Sequence, residues 1–255
     1  MRNSLVFILL LSLVFAVGCD ERDNNNDNNI NNINIVNNGN DDTIQMVQNS
    51  SNPNFIANED EVRLENVVVT AIDRYGTRTG SVYISEPDGG SYSGVIVYNY
   101  DTAAQWFVDL QVGDLVTVTG RKSEYCYEDP GTGECQFDDP LTEIVEPIVT
   151  ILGSGTPVTP TVIQGSDLNS VATGEQWEGV LVTLQNVRVL DVSTGERDEA
   201  FLYQSTKAQN DLVDISTITQ GVCLASLTGV VTYFFDYYIL PRTAADIVVS
   251  ADDNA

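Results

Sequence analysis

Two short motifs occur twice in this chain, in the same order. LENVVV at 64–69 returns as LQNVRV at 184–189, and VTVTG ending at Gly120 returns as ASLTG ending at Gly229. A glycine stands just ahead of each copy of the second motif, Gly113 in QVGDL and Gly221 in TQGVC. The offset falls from 120 to 109 residues between the two motif pairs while the order is kept. Repetition on this scale predicts two related units or one composite sandwich, and it limits the fold more tightly than composition does.

The runs between these motifs have strand character. The first half offers 62–72, 80–86, 93–99, 114–122 and 141–152, rich in Val, Ile, Tyr and Thr and separated by Gly, Pro, Asp and Ser. Only Asp101–Leu110 reads as a helix, with Asp101 as its cap, Ala104, Phe107 and Val108 on one face and Trp106 as a plug for a barrel end. Three strands, a helix and two strands are the layout of an OB-type Greek-key barrel. The second half offers strands near 179–190, 199–204, 211–215, 222–233 and 236–241 but no helix. The fold class expected is therefore all-β, with two OB-like barrels in tandem, the second reduced. Their bounds are 59–152 and 175–250, joined by a Pro-, Gly- and Thr-rich linker at 153–174 and followed by a flexible tail at 251–255.

The first 58 residues are of another kind. Arg2 precedes an apolar run, Leu5 to Gly18, broken only by Ser12, which is too short to span a membrane and has the proportions of a signal peptide. Ala16-Val17-Gly18-Cys19 resembles the lipobox of bacterial lipoproteins. That resemblance implies a lipoprotein signal peptide at 1–18, an acylated Cys19 as membrane anchor, and a body in the cell envelope outside the cytoplasm, with inner or outer membrane left open. Residues 19–58 are dominated by asparagine at their start and predict a disordered tether, because they hold too little apolar surface to offset ordering entropy.

In an oxidising compartment cysteines pair. Cys126 and Cys135 bracket CYEDPGTGEC, whose Pro130-Gly131 and Gly133 allow a hairpin closed by a disulfide, with about 2.5–3 kcal/mol of loop-closure stabilisation. Cys223 is then left over as a buried thiol, or as an alternative partner for one of the hairpin cysteines. The carboxylates around the hairpin, Glu128, Asp129, Glu134, Asp138 and Asp139, suggest a weak calcium site, although no EF-hand spacing supports it.

The succession from Ser81 to Asn99, GD-x-V-x-V-x-G at Gly113–Gly120 and Y-x-x-x-P-R-x-x-x-D-I at Tyr237–Ile247 resemble OB-like modules. Such modules occur beside extracellular bacterial nucleases and in myxobacterial-type lipoproteins. The resemblance implies a binding or positioning domain, with catalysis belonging to a separate nuclease domain for which this chain has no room.

Composition bears on the same question. The chain holds no histidine, which excludes histidine acid–base catalysis, Ser-His-Asp triads and histidine zinc sites. Removal of residues 1–18 takes away one charge, that of Arg2, and moves the formal charge from −26 to −27. A surface this acidic repels phosphate backbones, so direct nucleic-acid binding is not expected. The expected function is binding or scaffolding without catalysis, toward a protein or glycan of the envelope, with contacts drawn from Arg121, Lys122, Tyr125, Tyr127, Tyr237 and Arg242. A salt bridge to Asp246 competes with that role for Arg242. The rival expectation is a carboxylate-dependent extracellular hydrolase, or a calcium-assisted accessory module of a nuclease system. A hydrolase would show two convergent carboxylates in a groove.

Overall fold

The structure, a computed structural model, describes residues 42–76, 80–195 and 197–251. The signal sequence, Cys19, the first part of the asparagine-rich segment and the last four residues lie outside the described residues. Strands β1 (Glu61–Ile72), β2 (Val82–Ser85), β3 (Gly94–Val97), β4 (Asp114–Tyr125) and β5 (Leu141–Ser154) close a barrel in the order β1-β2-β3-β5-β4. The β3–β5 pair is parallel and the rest are antiparallel.

After the two-residue β6 (Thr161–Val162), the pattern repeats. Strands β7 (Leu181–Ser193), β8 (Glu199–Leu202), β9 (Lys207–Gln209), β10 (Cys223–Phe234) and β11 (Asp236–Leu240) pair as β7-β8-β9-β11-β10, and β10 returns to β7. Here too the third and fifth strands are the parallel pair. β12 (Ile247–Val249) lies along β10. Two five-stranded barrels of one topology identify the OB fold twice. The second is reduced in its helix only: α2 (Gln105–Asp109) has no counterpart between β9 and β10.

The sequence repeat has a structural cause. Gly113 donates its amide to the carbonyl of Val69 at 2.8 Å, and Gly221 donates to Val189 at 2.9 Å. Each bond ties the turn before the fourth strand to the last valine of the repeated first-strand motif. Both glycines have positive φ, 93° and 88°, which β-carbon sterics disfavour in other residues. Asn66 and Asn186, at the third place of each copy, share left-handed φ values of 57° and 51°.

Side chains alternate across the strands, and both sets are buried at the junction of the barrels. Val67, Val69, Val82, Ile84, Val95 and Val97 fill the first barrel. Their alternates Val68, Ala71, Tyr83 and Ile96 join the core of the second barrel instead. β2 and β3 are consequently buried along their whole length, because the second barrel covers the outer face that a lone barrel would show to water.

Four sequence expectations need correction. The tether does not run to residue 58: Asp42 bridges to Leu64, and α1 (Ile44–Gln48) places fully buried Ile44 and Val47 in the first barrel's core. Three apolar residues at Ile44, Met46 and Val47 are enough for one amphipathic turn once a core is there to receive it. The helix near 101–110 is shorter, begins after Ala104, and buries Phe107 and Leu110, leaving Trp106 half-buried and Val108 exposed. The third strand of the second barrel is 207–209, not 211–215; Leu212 and Ile215 reach the core from turns, so burial prevails over strand propensity. The linker is packed, since Val158, Ile163 and Leu168 belong to the shared core.

Candidate functional site: the cleft between the barrels

Strand alternation builds the floor of a cleft. Residues two apart point the same way, so Ile96, Tyr98 and Tyr100 form one row, Ser123, Tyr125 and Tyr127 a second, and Leu141, Glu143 and Val145 a third. Register aligns them, with Glu143 beside Ile96 on one side and Ser123 on the other. Asp73 and Ser81, from the loop between β1 and β2, stand at one margin. Arg197, Gln209, Asp211, Thr232 and Phe234 of the second barrel form the opposite wall, and the cleft holds about 770 Å³. In the first barrel this is the outer face of β3, β5 and β4 with Tyr83 of β2, bounded by the loops that follow β1 and β4.

The CYEDPGTGEC hairpin forms one lip. Cys126 and Cys135 are disulfide-bonded with Cα atoms 5.6 Å apart, and Asp129 receives Gly133 while donating to Glu134 across the turn. Phe137, just beyond, is buried edge-on against Tyr125, Tyr233, Phe234 and Phe235, with centroids 5.1–5.9 Å apart. Tyr127 meets Phe235 at 5.9 Å. The disulfide and this aromatic cluster hold Tyr125 and Tyr127 at the cleft, each still about two-fifths exposed.

Carboxylates in the cleft are raised by burial. Glu143, 8 % exposed, is pushed up to about 7 by desolvation. Asp73 also rises to about 7, again chiefly through burial, while the Tyr75 amide that it accepts opposes the rise. Asp211 pairs with Arg197 at 3.1 Å. The Tyr83 hydroxyl is raised first by burial and then by the charges of Asp211, Asp73 and Glu143, which places all three carboxylates around it.

A second acidic group lies in the barrel junction. Tyr237 donates to Glu175 at 3.2 Å, and Thr142 donates its amide to Glu178 at 2.9 Å. Burial, then the neighbouring Asp139, lifts Glu175 to about 7, and burial lifts Glu178 well above the carboxylate range. Asp139 is raised as well, chiefly by burial, and hydrogen-bonds to Glu175.

The structure redistributes the residues singled out from sequence. Tyr125 and Tyr127 line the cleft. Arg121 is outside it, paired with Glu59 and Glu146. Lys122 points to the other side of β4 and is fully buried, bonded to Glu124 at 2.9 Å and to the Ile56 carbonyl at 3.2 Å, with Phe55 against its ammonium. Tyr237 is buried at the junction. Arg242 binds Asp246 through two nitrogens and the Thr70 carbonyl through a third.

Among the described residues no three acidic or cysteine side chains come together as a metal-holding group, those of the hairpin included. Asp129 instead accepts the amides of Gly131 and Thr132, which lower its pKa, and Asp139 turns away to Glu175. Nor is Cys223 a spare thiol, since no described cysteine is free. The elimination that left it over rested on acylation of Cys19, which lies outside the described residues.

Asp73, Tyr98, Tyr100, Glu143 and Arg197 were missed. The signal was present for Glu143, the one carboxylate on the odd face of LTEIV, and for Tyr98 and Tyr100, which continue the even face of VIVYNY begun by Ile96.

No family model matches the chain, and none of the curated proteins matches it. Among solved structures, it is similar to the mitochondrial single-stranded DNA binding protein Rim1 of S. cerevisiae, at 14% identity and a TM-score of 0.26, over 39% of this chain and 100% of that one. The OB assignment stands on the strand order of the two barrels themselves.

Proposed function

We propose that the protein is a lipid-anchored binding protein of the cell envelope, without catalytic activity, that seats its ligand in the cleft between its barrels. One observation carries this reading. Three outward rows of the first barrel place Tyr98, Tyr100, Tyr125 and Tyr127 on one concave surface walled by the second barrel. Half-exposed tyrosines on rigid strands supply contact area at little conformational cost. Among the described residues lining the cleft, Arg197 is the one cation, and Asp211 already neutralises it. That balance disfavours a phosphate backbone and suits a protein or glycan of the envelope.

A hydrolase is the second reading, favoured by the presence of Asp73 and Glu143 in one cleft. Glycosidase pairs work by pushing two carboxylates apart in pKa, so that one is an acid while the other is ionised. Here the same cause moves both to about 7, which favours binding.

The test uses the full chain on arrays of envelope glycans and peptides, with Tyr125→Ala and Tyr127→Ala beside it. The expected result is a ligand whose retention falls in both variants and which is recovered chemically intact. Cleavage products that disappear in Asp73→Asn or Glu143→Gln would establish the hydrolase. An intact-mass measurement of the mature N-terminus tests the anchor, and an unmodified Cys19 overturns it.

A further inference from the structure

Both walls of the cleft are the same face of the same fold. In the first barrel Ile96, Glu143 and Ser123 stand side by side across β3, β5 and β4; in the second Lys207, Tyr238 and Thr232 stand side by side across β9, β11 and β10. Two residues further along each strand, this alignment matches Tyr98 with Gln209, Val145 with Leu240 and Tyr125 with Phe234, and all six line the cleft.

The like faces carry unlike chemistry. Tyr98 and Tyr100 pack edge to face with centroids 4.6 Å apart, so they act as one platform, and Tyr100 is 77 % exposed. At the places that match these two, the second wall holds Gln209 and Asp211, and its Phe234 ring carries the Arg197 guanidinium at 5.5 Å. Gln209 is 3 % exposed and donates to Glu199 at 3.0 Å, while its Oε1 has no donor among the described residues. An aromatic wall therefore faces a hydrogen-bonding one.

The floor restricts the charge of what enters. Glu143 and Asp73, both pushed up to about 7 by burial, disfavour an anion, and a cation would meet them partly protonated. A hydroxyl both donates and accepts, so it meets a carboxyl group in either state. The strands that build the two walls are paired along both sides, so no free edge there offers backbone bonds to an extended peptide.

A pyranose ring combines the surfaces that such a cleft asks for, CH groups on its faces and hydroxyls around its edge. We infer that the cleft takes a neutral oligosaccharide, its rings stacked on the tyrosine wall of the first barrel and its hydroxyls turned to Gln209, Asp73 and Glu143. A space of about 770 Å³ exceeds what one sugar fills, so a short chain fits it better than a monosaccharide. The inference rests on the reading of the cleft as the ligand seat.

The test is calorimetric titration of the full chain with cellohexaose, maltohexaose, mannohexaose and chitohexaose, beside their monosaccharides and hexagalacturonate. At least one neutral hexasaccharide is expected to bind more tightly than its monosaccharide and than hexagalacturonate by about tenfold or more, a difference of about 1.4 kcal/mol. Tyr98→Ala and Gln209→Leu, one from each wall, are each expected to weaken it roughly threefold to tenfold. Tyr98→Phe, which keeps the ring, should retain the affinity, and the urea midpoint of each variant separates lost contact from lost fold. Affinity should hold between about pH 6 and about pH 8, where a cation would gain as the carboxylates ionise. No binding of any of the four hexasaccharides overturns the assignment, as does tighter binding of hexagalacturonate, or affinity unchanged in both wall variants. A peptide retained on the array and lost in Tyr125→Ala and Tyr127→Ala would keep the cleft as the seat and reject the glycan. An array ligand that those two variants leave untouched would reject the cleft itself.

Discussion

Gly94 and Gly179 touch backbone to backbone where the barrels meet. A β-carbon on Gly94 would lie 2.2 Å from the Gly179 carbonyl oxygen, and one on Gly179 would lie 2.7 Å from the Gly94 carbonyl carbon. Gly94 opens β3 on the outer face of the first barrel, and Gly179 leads into β7, at a φ of 74°. Gln48 of α1 bridges the same place, donating to the carbonyls of Gly94 at 2.9 Å and Glu178 at 3.3 Å.

Gly94→Ala should therefore loosen the junction. The intruding methyl meets backbone, which cannot rotate aside, so a loss of about 1–3 kcal/mol or more is expected in urea unfolding. Because the second barrel walls the cleft, ligand affinity should fall with stability. An unchanged urea midpoint would show that the barrels separate without cost.

The raised carboxylates set the sign of the pH dependence. Glu143 has a folded value of about 7 against an ordinary 4.5, so the folded state holds its proton more tightly. Its contribution is complete below about pH 4.5 and is lost as pH rises through 7, a difference on the order of 3 kcal/mol. Asp73 and Glu175 act in the same direction. Thermal unfolding should show greater stability at pH 5 than at pH 8. Glu143→Gln should flatten part of that slope and raise stability at pH 8; a slope equal to the parent's would contradict the assignment.

Ile44→Ala tests whether the segment before β1 is part of the fold. Ile44 is fully buried in the first barrel's core, and truncating such a side chain costs about 2–5 kcal/mol. A tether would lose nothing, so a urea midpoint within error of the parent would restore the tether reading.

Arg242→Ala separates anchoring from recognition. Its guanidinium joins Asp246 to the Thr70 carbonyl of β1, linking the end of the second barrel to the first. Loss of these charge-assisted bonds should cost about 2 kcal/mol and leave the cleft residues in place. A large fall in ligand affinity with unaltered stability would return Arg242 to the binding surface.

Much of the fold was legible because it rests on local periodicity. The valine-rich runs placed four of five strands in the second barrel and all five in the first, and the paired motifs matched Gly113 with Gly221 before their shared bonds to Val69 and Val189 were visible. KAQ at 207–209 escaped because three residues carry no period, and its pairing with β11 decides its state. Ile44 and Val47 escaped because a five-residue helix has no stability apart from the core that covers it.

The site was less legible. Tyr125 and Tyr127 were chosen for type and place beside a stapled hairpin, and the cleft contains both. Lys122 was chosen for its charge, yet strand alternation turns it to the face opposite Ser123 and Tyr125, where Glu124 and Phe55 enclose it. By itself the sequence determined the two barrels, the hairpin disulfide and the acidic surface, since these depend on neighbours along the chain. Tertiary structure alone decided which face of the first barrel is covered, that Asp73 and Glu143 share one cleft, and that Glu143 is largely withdrawn from water. Desolvation and convergence are properties of surfaces brought together from distant parts of the chain, and no local pattern encodes them.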